Sequence, residues 1–400
     1  MDKKAPANTD PFIARMDSGI SRLARRAFSV ARRWPRSLPA FARIALHQGR
    51  AARSRSLNRA QGIPVPAFMI VSVTRKCNLH CAGCYSRATE ARERSEGRPA
   101  ELDFERLSSV IGEGSSLGVS FMLLAGGEPF VRVRELIALA RANLSVVFPV
   151  FTNGTLMDDE AVRLLSRTRN LVPILSVEGR RDSTDGRRGG GVYEAALRRM
   201  EALRRAGVFF GVSFTVMKAN AAELVSRDFL TELFESGAGV FFYNEYTPVA
   251  EGTEGFCISA EERSALLADL EVLRHEFPAI FLAFPGDEDK YGGCLSASRG
   301  FVHVAPDGRL EACPFAPFGD SSARDMPLAE ALRSPLLAAI REHHDELAET
   351  AGGCALWNRR DWAEGLVALG SGREPGDTAD AADSFGVDSR AFETVAEPVT

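Results

Sequence analysis

Cys77-Asn78-Leu79-His80-Cys81-Ala82-Gly83-Cys84 puts three thiols on one short loop, in the spacing C-x3-C-x2-C. Directly before it runs Ala67-Phe68-Met69-Ile70-Val71-Ser72-Val73-Thr74, an apolar, β-branched stretch that reads as a strand. The cysteines therefore follow a strand's C-terminal end. Three soft thiolates this close suit an iron–sulfur cluster or zinc. No fourth Cys or His completes a zinc set at the usual spacing, and His80, between the cysteines, is a poor geometric fit. Three ligands leave one iron of a [4Fe–4S] cluster open, and an open position points to chemistry rather than to a closed structural site.

Outward from this loop, Leu124-Ala125-Gly126-Gly127-Glu128-Pro129 follows a second strand-like run, 119–124. Two glycines let the backbone approach a ligand closely, and a carboxylate is a natural partner for an ammonium. The two motifs, about one βα unit apart, resemble the radical SAM superfamily. The resemblance implies that Cys77, Cys81 and Cys84 hold a catalytic [4Fe–4S] cluster, with S-adenosylmethionine on its open iron. It also implies that Gly126, Gly127 and Glu128 hold the methionine amino group. One position departs from the family pattern: Gly83 stands where an aromatic precedes the third cysteine, and Tyr85 follows it instead. The departure touches the adenine contact, for which Tyr85 is the candidate, and not the cluster.

Further contacts are implied by the same resemblance. Ser176-Val177-Glu178-Gly179 is similar to the family's S-x-D/E element, whose side chains meet the ribose and methionine carboxylate. Thr152-Asn153-Gly154 is similar to a frequent TNG, which makes Asn153 a candidate. Thr215 and Asn220 close the fifth strand-like run; Asn244 and Pro248 follow the sixth. The competing explanation for each is turn chemistry, because Ser, Asn, Asp and Gly end strands for local hydrogen bonds.

Strand-like runs fall at 67–74, 119–125, 146–151, 171–177, 208–216 and 239–246. Helical patterns lie between them near 103–117, 132–142, 158–168, 192–206 and 221–236, with Asp103 as an N-cap and Gly118 and Gly207 as C-caps. Such alternation implies an α/β fold with a parallel sheet. Six units match the partial (β/α)6, TIM-like barrel of radical SAM enzymes, and every motif sits at a strand's C-terminal end, where ligand sites of such folds collect.

The chain divides into an N-terminal extension (1–62), a core barrel (63–250), a bridge (251–290), a second cysteine region (291–368) and a Gly, Asp, Ala and Ser-rich tail (369–400) read as disordered. In the bridge, Ser259 with Glu262 has capping-box spacing at the head of a helix to Phe277, and 280–284 is a short strand candidate. The second cysteine region carries Cys294, Cys313 and Cys354, with Asp307-Gly308 as a hairpin signal before Cys313. The stretch from Cys294 to Cys313 resembles the opening of SPASM and twitch auxiliary-cluster domains. The dense later cysteine array of a full SPASM domain is absent, so a truncated, twitch-like α+β domain with one auxiliary [4Fe–4S] cluster is expected. Its fourth ligand is open between Cys257, a nearby Asp or His, and substrate.

Seven cysteines in 400 residues, six of them in two clusters of three, read as metal ligands in a reducing compartment rather than a disulfide framework. Neither a secretory signal nor an apolar run of the roughly 20 residues a span needs is visible, so a cytoplasmic location is expected. The net charge of −4 conceals fourteen Lys/Arg against three Asp in residues 1–60. That basic arm reads as helices broken at Pro35 and Pro39. It could cover the barrel, lie peripherally on an anionic membrane surface, or dock a partner or substrate peptide. Nucleic acid is not expected, because no binding module is recognisable.

The functional expectation is a radical SAM oxidoreductase-type enzyme. Its radical takes hydrogen from an unactivated carbon of a peptide or small molecule, giving net oxidation, cyclisation or cross-linking, with flavodoxin or ferredoxin as reductant. The alternatives are an epimerase, a lipid-modifying enzyme at the membrane surface, or a non-catalytic iron–sulfur electron carrier or scaffold.

Overall fold

The computed structural model describes residues 11–95, 97, 99–347 and 353–370. From residue 371 onward, the expected disordered tail lies outside the described residues.

Strands β1 (Phe68–Ser72), β2 (Phe121–Ala125), β3 (Phe148–Thr152), β4 (Leu171–Ser176), β5 (Phe210–Val216), β6 (Ala238–Glu245), β7 (Ile280–Phe284), β8 (Phe301–Val304), β9 (Arg309–Glu311) and β10 (Ser321–Ser322) form one sheet in the order β10-β9-β8-β1-β2-β3-β4-β5-β6-β7. Every pairing from β8 through β1 to β7 is parallel. The sheet is thus wider than six units: β7 extends one side, and β8 joins the other by pairing directly with β1. Asp307-Gly308 turns the antiparallel hairpin of β8 and β9, with Gly308 at φ 94°.

The strands are joined mainly by helices: α3 (Tyr85–Ser95), α4 (Phe104–Leu117), α5 (Val133–Ala142), α6 (Asp159–Leu165), α7 (Arg181–Arg188), α8 (Val192–Arg205), α9 (Ala221–Leu224), α10 (Arg227–Glu235) and α11 (Ala260–Glu276). Asp103 caps α4 through Arg106 N–H, Gly118 closes it at φ 110°, and Ser259 with Glu262 forms the full capping box of α11. The single helix expected over 221–236 is two, because Ser226 adopts extended backbone and restarts the chain. Helices α3 and α7 carry no apolar periodicity and were not expected.

Alternation within the strands splits the core. Met69, Val71, Leu124, Val150, Leu175 and Phe214 bury one face against the helices. On the other face Val172, Ile174, Val240, Phe242 and Ile280 pack with Val30, Trp34, Phe41 and Ile44 from the N-terminal extension. That extension is two long helices, α1 (Pro11–Val30) and α2 (Leu38–Ala60), joined by short 3-10 turns at Ala31–Arg33 and Pro35–Ser37. Trp34 and Phe41 both meet Phe209 edge-on at 5.0 Å. The sheet's second face is therefore apolar toward the strands' N-terminal ends. Toward their C-terminal ends it turns polar, with Ser72, Ser176, Ser213, Thr215 and Asn244. No described helix is long and apolar enough to cross a membrane.

Candidate active site

The cysteine loop leaves β1 and is clamped by three separate segments. Gly127 N–H donates to Thr74 O at 2.7 Å, and Glu128 N–H to Lys76 O at 2.8 Å. A Cβ at Gly126 would overlap Thr74 O, and one at Gly127 would overlap Lys76 O, so both positions need glycine for the backbones to meet. Asn153 Nδ2 donates to Asn78 Oδ1 at 3.0 Å. Ala82 N–H donates to Arg187 O at 3.0 Å, which ties the loop to α7.

Glu128 is 1% exposed. It accepts from Phe130 N–H (2.9 Å), Thr152 Oγ1 (2.7 Å) and Asn153 N–H (2.8 Å). Burial pushes its pKa up, and these bonds offset part of the rise. Two carboxylate oxygens offer about four acceptor positions, so one remains for an ammonium donor.

Glu178 is fully buried. One oxygen takes Arg187 and, at 2.8 Å, Arg188 Nε; the other takes Thr215 N–H at 2.8 Å. Arg187 also donates to Thr215 Oγ1 at 3.1 Å. Both guanidinium groups act electrostatically on Cys81. Reading the sequence missed them: α7 offers no apolar stripe, and neighbouring arginines resemble a solvated surface. Ser176 Oγ meets Ser213 Oγ at 3.1 Å. Asn220 donates to Thr215 O within its own turn and to Glu178 O across to the neighbouring strand's end. Asn244 is half-buried, its Nδ2 3.5 Å from Phe214 O. No contact singles out Pro248.

At Gly83 the backbone is left-handed, with φ 63°, and a Cβ would run into the ring of Tyr246. Tyr246, buried just after β6, fills the space that the loop's missing aromatic leaves. Tyr85 packs edge-on against Phe315 at 5.0 Å. Burial, with Cys84 and Cys313 nearby, pushes its phenol up. Tyr85 thus stands between the two cysteine groups.

All seven cysteines are free. Burial pushes Cys77 and Cys81 up, so without metal their thiols are protonated at neutral pH, and loading a cluster releases protons. Cys294, Cys313 and Cys354 lie close enough to act on one another electrostatically. Among the described residues no three His, Cys, Asp or Glu side chains converge closely enough for a single metal ion. The donor chemistry fits thiolate-ligated clusters, and cationic Arg187 and Arg188 beside Cys81 fit the negative charge such a group carries. Cys257 has its Sγ 3.9 Å from Tyr246 O, beside Glu245, Glu254 and Arg263, and Glu245 also acts on Cys354. Glu288, unremarked in the sequence, faces the second group: burial pushes its carboxyl up to about 8, with Asp289 and Cys354 adding to the rise.

A further array went unread. Ser72 Oγ lies 2.8 Å from His303 Nε2, and His303 Nδ1 lies 2.8 Å from Glu311 Oε2. The three border a cavity of about 20 Å³ with Tyr85, Thr89 and Gly126, room for one water. Such a chain can hold or pass a proton at Ser72 Oγ.

Residues 71–223 match the family described as the Radical SAM superfamily. That stretch is a radical SAM domain. It is 32% identical over 159 residues to Fe-coproporphyrin III synthase of Methanosarcina barkeri, covering 39% of this chain and 38% of that one. It is 28% identical over 221 residues to the sporulation killing factor maturation protein SkfB of Bacillus subtilis, covering 53% and 51%. The chain therefore spans about two fifths and about half of the length of these two curated relatives. The crystal structure of Streptococcus suis SuiB bound to precursor peptide SuiA superposes with a TM-score of 0.58, covering 74% of this chain and 72% of that one. At 16% identity, that likeness is one of fold.

Proposed function

We propose that this radical SAM protein cleaves S-adenosylmethionine reductively at Cys77, Cys81 and Cys84, and takes a hydrogen atom from an unactivated carbon of a peptide or small-molecule substrate. One observation carries the reading: the segments bearing Gly127, Asn153 and Arg187 are each hydrogen-bonded to the cysteine loop. Groups suited to hold S-adenosylmethionine are thereby built onto the loop suited to hold the cluster. When bound, cluster and S-adenosylmethionine supply a one-electron cleavage to methionine and a 5'-deoxyadenosyl radical.

The chain's own residues position and enclose. Glu128 offers its remaining acceptor to the methionine ammonium. Arg187 and Arg188, which share the single Glu178 carboxylate and so keep one positive charge over, face Cys81 and suit a carboxylate. Ser176, Thr215 and Asn244 supply polar groups on the same sheet face, and Tyr85 and Tyr246 close the loop's two sides with aromatic surface. Cys294, Cys313 and Cys354 would hold an auxiliary cluster in a twitch-like region, favouring net oxidation, cyclisation or cross-linking, with a flavodoxin- or ferredoxin-type reductant. Likeness to a maturation protein supports a peptide substrate, and likeness to a porphyrin enzyme supports a tetrapyrrole.

The test is electron paramagnetic resonance of anaerobically reconstituted, reduced protein with and without S-adenosylmethionine. A cluster signal that shifts on adding it, and that is lost in Cys81→Ala while the second cluster's signal stays, is expected. An unshifted signal in iron-loaded protein would sink the reading.

A further inference from the structure

We propose that the N-terminal helix pair is a docking surface for an anionic phospholipid bilayer, set at the end of the sheet opposite the cysteine loop. No acidic residue occurs between Asp17 and Glu90. On the helix Leu38–Ala60, Phe41, Ile44, Gln48 and Arg55 face inward and are buried. Arg43, Leu46, Arg50, Arg53 and Leu57, spaced by three and four residues, share the opposite face. The three arginines are exposed, and the leucines are 80% and 51% exposed. Among the described residues Arg36, Arg43, Arg50 and Arg53 make no hydrogen bond or ion pair.

The helix lies across the strands' N-terminal ends. Phe41 packs on Phe209, just before β5. Further along, Arg55 donates to Ser120 Oγ at 3.0 Å and Asn58 Nδ2 to Leu117 O at 3.1 Å, both just before β2. The stripe continues through Arg36 into a cavity of about 400 Å³ lined by Arg33, Trp34, Arg36, Arg204, Arg205 and Glu235, beside Gly207 and Gly237 at the heads of β5 and β6; Arg204 and Arg205 are paired with Glu201, which leaves Arg33 and Arg36 to meet an anion. Positive charge is crowded there: after burial, Arg36 is what pulls Arg169 down. Guanidinium groups around such a cavity suit a phosphate headgroup.

Charge alone would also admit RNA. The two leucines decide for lipid: apolar side chains set between arginines enter the headgroup boundary of a bilayer, whereas single-stranded nucleic acid is held by aromatic stacking, and the stripe has no aromatic residue. The cysteine loop opens at the strands' C-terminal ends. A docked chain would therefore present its site to water, and its substrate would arrive from the aqueous side.

The test is co-sedimentation of the full chain with phosphatidylglycerol–phosphatidylcholine vesicles, against pure phosphatidylcholine. Binding only to the anionic vesicles, released by salt, is expected. Each basic residue near an anionic surface contributes about a fivefold factor, so Arg43→Gln/Arg50→Gln/Arg53→Gln should weaken partitioning on the order of 100-fold with an unchanged melting curve. Leu46→Ser should weaken it at every salt concentration. Equal sedimentation of wild type and triple variant would overturn the proposal. So would absence of vesicle binding, or retention on single-stranded RNA without retention on vesicles. Iron loading, read in the same samples, reports on the other end of the sheet and separates this outcome from failure of the cluster reading.

Discussion

At the scale of single residues, Gly83 joins a backbone demand to a packing demand, because its φ is positive and Tyr246 occupies its side-chain space. Gly83→Ala should cost about 1–2 kcal/mol from the left-handed backbone alone and more from the clash. Adding Tyr246→Ala should recover the clash part, read as melting temperature and iron loading; a double variant no better than the single would contradict this. Among the described residues Glu178 is the sole carboxylate bonded to Arg187 and Arg188, whose side chains are 10% and 11% exposed, so Glu178→Gln should cost about 3–5 kcal/mol in urea unfolding. Glu288 gives a pH signature. Its carboxyl is raised from the ordinary 4.5 to about 8, so the folded state binds the extra proton. Its contribution is complete below about pH 4.5 and is lost as pH rises toward 8. Glu288→Gln keeps an acceptor for Gly286 N–H and should flatten that fall, measured as unfolding free energy against pH; an unchanged slope would place the effect elsewhere. Cys77, Cys81, Cys84, Gly126, Gly127 and Glu128 could be picked out from sequence because their chemistry or backbone demand is local. Arg187, Arg188 and Tyr246 could not, because their meaning arises only from what folding sets beside them.

At the scale of elements, the helix pair 11–60 behaves as a cover for one sheet face, and Trp34 is its deepest aromatic anchor, 5% exposed. Trp34→Ala should cost about 3–5 kcal/mol through lost burial and the cavity left behind, measured by thermal unfolding. A cost below about 1 kcal/mol would mean that the pair is only loosely attached. Strands and amphipathic helices were legible because buried faces impose periods of 2 and 3.6 on the sequence. Helix α7 was not: Thr184 is its one buried residue. What holds α7 is a set of tertiary bonds, Thr184 Oγ1 to Gly179 O at 2.8 Å and Glu178 to its two arginines. The Asp307-Gly308 hairpin was readable from its turn residues. Its attachment to β1 was not, because pairing of segments more than two hundred residues apart leaves no mark on either one alone.

At the scale of the whole molecule, the sheet gathers two different sets of side chains at its two ends. Cysteines, Glu128 and the arginine pair gather at the strands' C-terminal ends, and the basic helices close the other. Direct pairing of β8 with β1 brings the Cys313 hairpin to the cysteine loop's own strand, with Tyr85 and Phe315 in contact between them. That arrangement makes the two thiol groups neighbours within a continuous sheet, and it is what a net oxidation would use. The most direct measurement is 5'-deoxyadenosine formed from S-adenosylmethionine by anaerobically reconstituted, dithionite-reduced protein, beside Cys84→Ala. Deoxyadenosine from wild type and none from the variant is the predicted result. No deoxyadenosine from fully iron-loaded wild type, or equal amounts from both, would contradict the assignment of chemistry to the Cys77–Cys84 loop.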